Sequence, residues 1–434
     1  MILRSLRCLA VLLNCLLWIA CGGLEVADVT APGDLAGDSA LLADQGPCED
    51  AVSALPREDG GQFDLACPET LTVADALEPP PDVEVAVDVG EPFETIPEPP
   101  SDCPGIAGAV VSGRLYRDKD ETSVSIHSQG YYPKYDEPIG DWQVSLLAQG
   151  KELSTDSCSD GYFGFGEVGV GSYVLEVAAP EGAECTSSNR PVRFPQAVRE
   201  GHVTIVTIGD SVPKVGPSPL FPARLAKLVE GVATVDNLNL AVSGTLTKHW
   251  QPGGNLFENV LAPALPDADV VVISIGGNDV MAYIGGSMGN TYQMLQKVEG
   301  LDEYTTQLHD AVANIINEIH ARAPHADVVF CLYVNYAKAA YWSNQVGPYK
   351  DLFAAAGHNA LVKARGLLAG MDRVLIADMF GALGSGSVDP YLIDAVHLSA
   401  KGHALYAEQL FMVLGGLAID QDHEPVERLY GFSW

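Results

Sequence analysis

The tripeptide Gly209-Asp210-Ser211 closes His202-Val-Thr-Ile-Val-Thr-Ile, a run rich in β-branched residues. Such a run predicts a strand buried on both faces. Shortly afterwards Leu220-Phe-Pro-Ala-Arg-Leu-Ala-Lys-Leu-Val carries apolar residues at helical spacing. A strand that ends in Gly-Asp-Ser and leads into a helix puts the Ser211 hydroxyl at the carboxyl edge of a parallel sheet, where open α/β folds bind ligands. A hydroxyl there becomes a nucleophile when a base, a group orienting that base and donors for an oxyanion join it. Alone, the stretch reads more readily as a serine in an ordinary βα turn, and a nucleophile needs support from the rest of the chain.

Three further segments supply the missing residue types. Asn237-Leu-Asn-Leu-Ala-Val-Ser-Gly244 follows a second strand signal, and Gly244 permits close approach of backbone to a substrate. Ile273-Ser-Ile-Gly-Gly-Asn278-Asp279 follows a third and brings a side-chain amide to the same edge. Leu392-Ile-Asp394-Ala-Val-His397-Leu-Ser lies just before the last helical pattern. The elements that would position these residues alternate. Apolar runs fall at 203–208, 232–238, 270–275, 328–334 and 374–377, with helical patterns at 219–230, 301–323, 349–369 and 399–414. Alternating strand and helix signals predict a parallel sheet covered on both faces, with right-handed crossovers.

Taken in order, Gly-Asp-Ser, Asn-Leu-x-x-Ser-Gly, Gly-Gly-Asn-Asp and Asp-x-x-His resemble the SGNH (GDSL-type) hydrolase superfamily over about residues 203–415. The resemblance implies an α/β fold, a flavodoxin-like three-layer domain, and hydrolysis of a carboxylic ester through an acyl-enzyme without metal or cofactor. Carried over by position, it implies Ser211 as nucleophile, His397 as general base and then acid, and Asp394 as the group orienting the imidazole. It implies an oxyanion hole from the backbone N–H groups of Ser211 and Gly244 and the side-chain N–H of Asn278. Asp210 and Asp279 would brace the loops. Val212 replaces the more usual Leu or Ile, and Pro213-Lys-Val-Gly-Pro-Ser-Pro is unusually proline-rich. Both departures concern the pocket entrance.

Around this domain the 434-residue chain is uneven in charge. Its formal net charge of −33 argues against nucleic acid and against adsorption to anionic lipid. Much of that charge lies between Leu24 and Asp102, where proline and acidic residues dominate without periodicity, the mark of a disordered, self-repelling linker. Residues 1–21 read as an export signal, with Arg4 and Arg7 ahead of a short apolar stretch. Ala20-Cys21 resembles the end of a bacterial lipoprotein signal, with Trp18 where a small aliphatic residue is usual. Lipidation of Cys21 would tether an extracytoplasmic protein to a membrane, at the outer membrane or cell surface. Ordinary cleavage into a secreted or periplasmic form and an uncleaved anchor are the alternatives.

Between about 103 and 198, short alternating segments separated by Gly and Asp turns predict an antiparallel β-sandwich. Ser159-Asp-Gly-Tyr-Phe-Gly-Phe and Gly171-Ser-Tyr-Val-Leu resemble carboxypeptidase-regulatory-like or prealbumin-like modules, which suggests a spacer, or a glycan contact through Tyr131 or Tyr132. The domain reading is therefore 1–21 signal, 22–102 linker, 103–200 sandwich, 201–418 hydrolase and 419–434 tail. Cysteines lack metal-site spacing. Cys331 reads as a buried thiol, and Cys48–Cys67 and Cys158–Cys185 are pairings suggested by proximity alone. His403 reads as a surface or core residue, and His249 as a loop residue that could line the site. The Gly-, Met- and Tyr-containing insertion 283–294 would be a pocket wall or an inert loop, and Trp342 an acyl or sugar contact. The implied substrate is an ester, an acylated glycan or a lipid. The alternatives are a lipase- or lysophospholipase-like enzyme, an acyltransferase and a glycan-binding surface protein.

Overall fold

The computed structural model describes residues 109–117, 137–180, 184–185, 191–285, 296–419 and 426–433. The export segment, the acidic linker, Cys48, Cys67, Cys103, Tyr131, Tyr132 and residues 286–294 of the insertion lie outside the described residues. The first strands are β1 (Val111–Arg117), β2 (Glu137–Pro138), β3 (Gln143–Ala148), β4 (Lys151–Asp156), β5 (Tyr162–Phe165), β6 (Gly171–Val177) and β7 (Glu184–Cys185). After them come β8 (His202–Gly209), β9 (Thr234–Asn239), β10 (Val270–Ser274), β11 (Asp327–Leu332) and β12 (Val374–Asp378). Two more, β13 (Gly416–Ile419) and β14 (Val426–Ser433), close the described chain.

Strands β8 to β12 pair in parallel in the order β12-β11-β10-β8-β9. Their side chains alternate between two cores, as the two-residue period of a strand requires. Val203 and Ile205 of β8, Val270 and Val272 of β10, and Val329 and Cys331 of β11 pack on one face with helices Phe221–Val229 and Ala400–Val413. Val206 and Ile208, Val271 and Ile273, and Val328 and Phe330 pack on the other with helix Leu301–Arg322. Helix, sheet and helix make three layers, the α/β architecture expected from sequence. All residues of β10 are buried, whereas β9 at the sheet edge alternates between exposed and half-buried.

The earlier strands form two smaller sheets. One runs β13-β6-β3-β4 with antiparallel pairs. In the other, β1 lies parallel to β14 and antiparallel to β2 and β5, with β7 beyond β14. Val111, Leu115, Phe163 and Phe165 from one sheet and Val144, Leu146, Leu175 and Val177 from the other share one apolar cluster. Residues 419–434, read from sequence as a tail, hold β14, whose backbone runs alongside β1 over Val426 to Phe432. A single strand with so little amphipathic contrast carries no local signal of its pairing partner. Cys158 is disulfide-bonded, and Cys331 is free and buried.

Helix Arg193–Glu200 joins the smaller sheets to the large one, burying Phe194 and Ala197 in the same cluster as Leu147 and Val174. Its first turn has no local side-chain cap. The carboxylate of Asp327, on β11, instead accepts from the N–H groups of Val192, Arg193 and Phe194 at 3.0, 2.9 and 2.8 Å. The orphan donors of a helix start are thus satisfied from across the fold. Asp269 accepts from Thr204 N at 2.8 Å and from the Arg193 guanidinium. Among the described residues no helix is long and apolar enough to cross a membrane.

Ending the chain after Gly415 would remove β13 and β14. Leu417 and Ile419 are 3% and 5% exposed. Burial of two such side chains contributes roughly 3–6 kcal/mol. The truncated chain is expected to lose at least about that much stability in the smaller sheets. Hydrogen exchange checks it: amides of β1 and β6 should lose protection while those of β10 retain it.

Candidate active site

The end of β8 is shaped by one glycine. Gly209 has φ +153°, and a Cβ there would stand 2.1 Å from the Ser274 carbonyl oxygen of β10. Only a residue without a side chain lets the two strands close together at this point. Asp210 N then donates to Ser274 O at 3.1 Å, and the chain turns sharply, with Lys214 N and Val215 N both donating to Ser211 O. The proline-rich stretch after the serine is pinned by Asn239 Nδ2, which donates to Pro213 O at 2.8 Å.

Ser211 stands half-buried at the carboxyl edge of the sheet. Its Oγ lies 3.0 Å from His397 Nε2, and His397 Nδ1 lies 2.7 Å from Asp394 Oδ2. The other Asp394 oxygen accepts from Val396 N at 2.9 Å and His397 N at 2.8 Å. Partial burial pushes the Asp394 carboxyl up, but the hydrogen bonds from His397 and the two backbone N–H groups prevail and hold it down at about 2. Asp394 is therefore ionised across the neutral range. This line of three groups has the geometry for moving a proton from a hydroxyl to an imidazole.

Gly244, at φ +79°, sits in the left-handed region. The loop around it is tied on two sides. Val242 N donates to Gly209 O at 3.0 Å, and the Thr245 hydroxyl, also 3.0 Å from Gly209 O, accepts from Trp250 Nε1. Asn278 Nδ2 donates to Thr245 O at 3.0 Å, which fixes the amide and leaves its second N–H uncommitted to that bond. The segments bearing Ser211, Gly244 and Asn278 are thus linked by direct hydrogen bonds.

Two buried carboxylates brace this frame. Asp210, 2% exposed, accepts from Val212 N at 2.9 Å and from the Tyr333 hydroxyl at 3.1 Å. Burial nevertheless pushes it up to about 6. Asp279 accepts from the Thr247 N–H and hydroxyl at 2.9 and 3.0 Å, and burial raises it as well. Thr245, Thr247 and Tyr333 were not singled out in the sequence. The signals available were a tyrosine ending an apolar strand and two threonines just after Ser-Gly.

The remaining candidates separate. Trp342 is 5% exposed and donates from Nε1 to Ala395 O at 3.0 Å, so the indole supports the loop of His397 rather than offering itself to a substrate. His403 is fully buried, its Nδ1 accepting from Phe221 N, and desolvation lowers it to about 4. His249 is exposed and accepts at Nδ1 from Leu246 N. A cleft of about 800 Å³ lined by Arg193, His202, Asp236, Asp269 and His325 lies at the opposite, amino-terminal edge of the sheet. Among the described residues no group of three or more His, Cys, Asp or Glu is arranged to hold a metal ion.

Asp210 makes a stability prediction whose sign follows from its raised value. Between its ordinary value of 3.8 and about 6 the folded chain binds this proton and the unfolded chain does not, so stability falls as pH rises through that window. The shift of about two units amounts to about 3 kcal/mol at most. In Asp210→Asn this contribution to the slope should vanish. Urea midpoints of both proteins at pH 4, 5, 6 and 7 measure it, and identical slopes would refute the assignment.

Residues 207–405 match the model of the GDSL-like Lipase/Acylhydrolase family. No curated protein matches the chain. Among solved structures, the lipase Lip_vut3 from a goat rumen metagenome is 20% identical with a TM-score of 0.40, over 49% of this chain and 97% of its own. The extracellular lipase of Streptomyces rimosus is 20% identical with a TM-score of 0.39, over 49% of this chain and 99% of its own. The family 3 carbohydrate esterase of Clostridium thermocellum is 17% identical with a TM-score of 0.30, over 49% and 94%. With the family match and the α/β fold together, residues 207–405 are a GDSL/SGNH hydrolase domain, and the protein is a carboxylic ester hydrolase.

Proposed function

We propose that Ser211, His397 and Asp394 act as a catalytic triad on a small-acyl ester, with an acylated glycan as the favoured substrate. The observation that carries the triad is the unbroken hydrogen-bond line from Asp394 Oδ2 through His397 to Ser211 Oγ, at 2.7 and 3.0 Å. The glycan preference is supported by the export-signal character of residues 1–21 and by the smaller sheets that precede the hydrolase domain. His397 Nε2 takes the Ser211 proton as Oγ forms a bond to the ester carbonyl carbon. The carbonyl oxygen takes up the negative charge and is held by the N–H groups of Ser211, Gly244 and Asn278. The bond from carbon to the alcohol oxygen then breaks, and His397 delivers its proton to that oxygen. A water, deprotonated by His397 in turn, attacks the acyl-enzyme, releases the acid and restores the serine. Asp394 holds the imidazole in the tautomer that presents Nε2 to Ser211 and stabilises its cationic form.

Export, and a lipid anchor at Cys21, are part of the proposal. They are supported by the basic and apolar character of residues 1–21 and by the Ala20-Cys21 pair. The acidic, proline-rich residues 22–102 would then hold the enzyme away from a membrane.

Hydrolysis of p-nitrophenyl acetate, butyrate and octanoate by the full chain tests the reading. Activity is expected to fall from acetate to octanoate. Ser211→Ala should lower kcat by at least about 10⁴-fold. Asp394→Asn should cost about 10⁴-fold through the wrong tautomer, and Asn278→Ala about 10²–10³-fold. A preference for octanoate would move the substrate to lipid esters. Activity that survives Ser211→Ala would remove the nucleophile.

A further inference from the structure

The loop that carries Asp394 and His397 is a short antiparallel turn. Leu392 and Leu398 form a bridge, flanked by hydrogen bonds from Ile393 N to His397 O and from Ser399 N to Tyr391 O, each 2.9 Å. In an antiparallel pair, residues directly opposite one another share a face, and successive pairs alternate faces. Leu398 is fully buried and Leu392 packs against the same core, so their face is the inner one. The bond from Ile393 N to His397 O sets the Ile393 backbone directly across the turn from His397, whose Nε2 lies 3.0 Å from Ser211 Oγ. Ala395 and Val396 of this loop also pack against the core, but Ile393 is 53% exposed.

We propose that Ile393 determines specificity by contacting the alcohol portion of the ester. The inference rests on the reading of Ser211 and His397 as nucleophile and base. For His397 to return its proton, the departing alcohol oxygen must come within about 3 Å of Nε2. The carbonyl oxygen is drawn the other way, toward the donors on the Ser211, Gly244 and Asn278 segments. The first carbons of the alcohol therefore lie beside His397, against the neighbouring Ile393 side chain. A branched apolar side chain half in water gains from being covered by apolar surface. The substrates favoured are esters whose alcohol presents an apolar face next to the ester oxygen.

The experiment measures kcat/KM for methyl, butyl and hexyl acetate, whose alcohols differ in apolar length and little in leaving-group character. It uses the full chain, Ile393→Ser and Ile393→Leu, with p-nitrophenyl acetate and octanoate as the acyl series. In Ile393→Ser the hexyl-to-methyl ratio should fall about fivefold, below the range of a closed pocket because the contact is open on one side. Ile393→Leu should keep the ratio, and the octanoate-to-acetate ratio should not move. Equal loss across all alcohols, or a shift confined to the acyl series, would overturn the inference while leaving the triad intact. Absence of any Ser211-dependent hydrolysis by the unsubstituted chain would overturn the triad, and this contact with it.

Discussion

The close approach of Gly209 to the Ser274 backbone is the constraint from which the candidate site is built. A Cβ at this point would fall 2.1 Å from a carbonyl oxygen, a distance no repacking of side chains can relieve because the obstacle is backbone. The contact sets the ends of β8 and β10 level, Gly209 opposite Ser274. Ser211 and Asn278 thereby leave adjacent strands at the same height. The Gly209 carbonyl also receives Val242 N and lies beside the Thr245 hydroxyl, which brings the Gly244 loop to the same place. Three segments that would each offer an oxyanion donor are thus referenced to one residue. Preorganisation of this kind matters because a donor must already stand where charge will develop.

Buried carboxylates do the remaining fastening, and their chemistry separates them from Asp394. Asp210, Asp279 and Asp327 each accept two or three hydrogen bonds, yet desolvation outweighs those bonds and raises all three. Such groups cost stability in the charged form but fix direction strongly, since every lone pair left unpaired in a dry site is expensive. Asp394 is different. With 49% of its side chain exposed, it keeps enough water for the bonds from His397 and Val396 to prevail. The carboxylate bonded to the imidazole thus stands at the rim, and those whose bonds tie other segments together stand inside.

The smaller sheets are woven into the same molecule from both ends of the described chain. Leu147 and Val174 point into the core of the hydrolase domain, while their strand neighbours Leu146 and Leu175 point into the cluster between the two smaller sheets. Helix Arg193–Glu200 is capped by Asp327 of the parallel sheet. The strands after the last helix return to pair with β6 and β1. Stability in this part therefore depends on residues separated by most of the folded sequence.

Sequence by itself determined the alternation of buried strands and amphipathic helices, because those periods are local: two residues for a strand, 3.6 for a helix. It also placed Ser211, Gly244, Asn278, Asp394 and His397 at or near the ends of elements, since turns of this kind are marked by Gly, Asp and Asn within a few residues. The tertiary structure decided what lies across the chain. That Asp327 caps a helix starting more than a hundred residues earlier, that Tyr333 bonds Asp210, and that Trp342 supports the loop beneath His397 follow from which strands become neighbours. The pairing of β14 with β1 belongs to the same class. A hydrogen bond between residues distant in sequence leaves no periodic trace in either segment, because each side chain is selected by a partner that only the folded chain brings near.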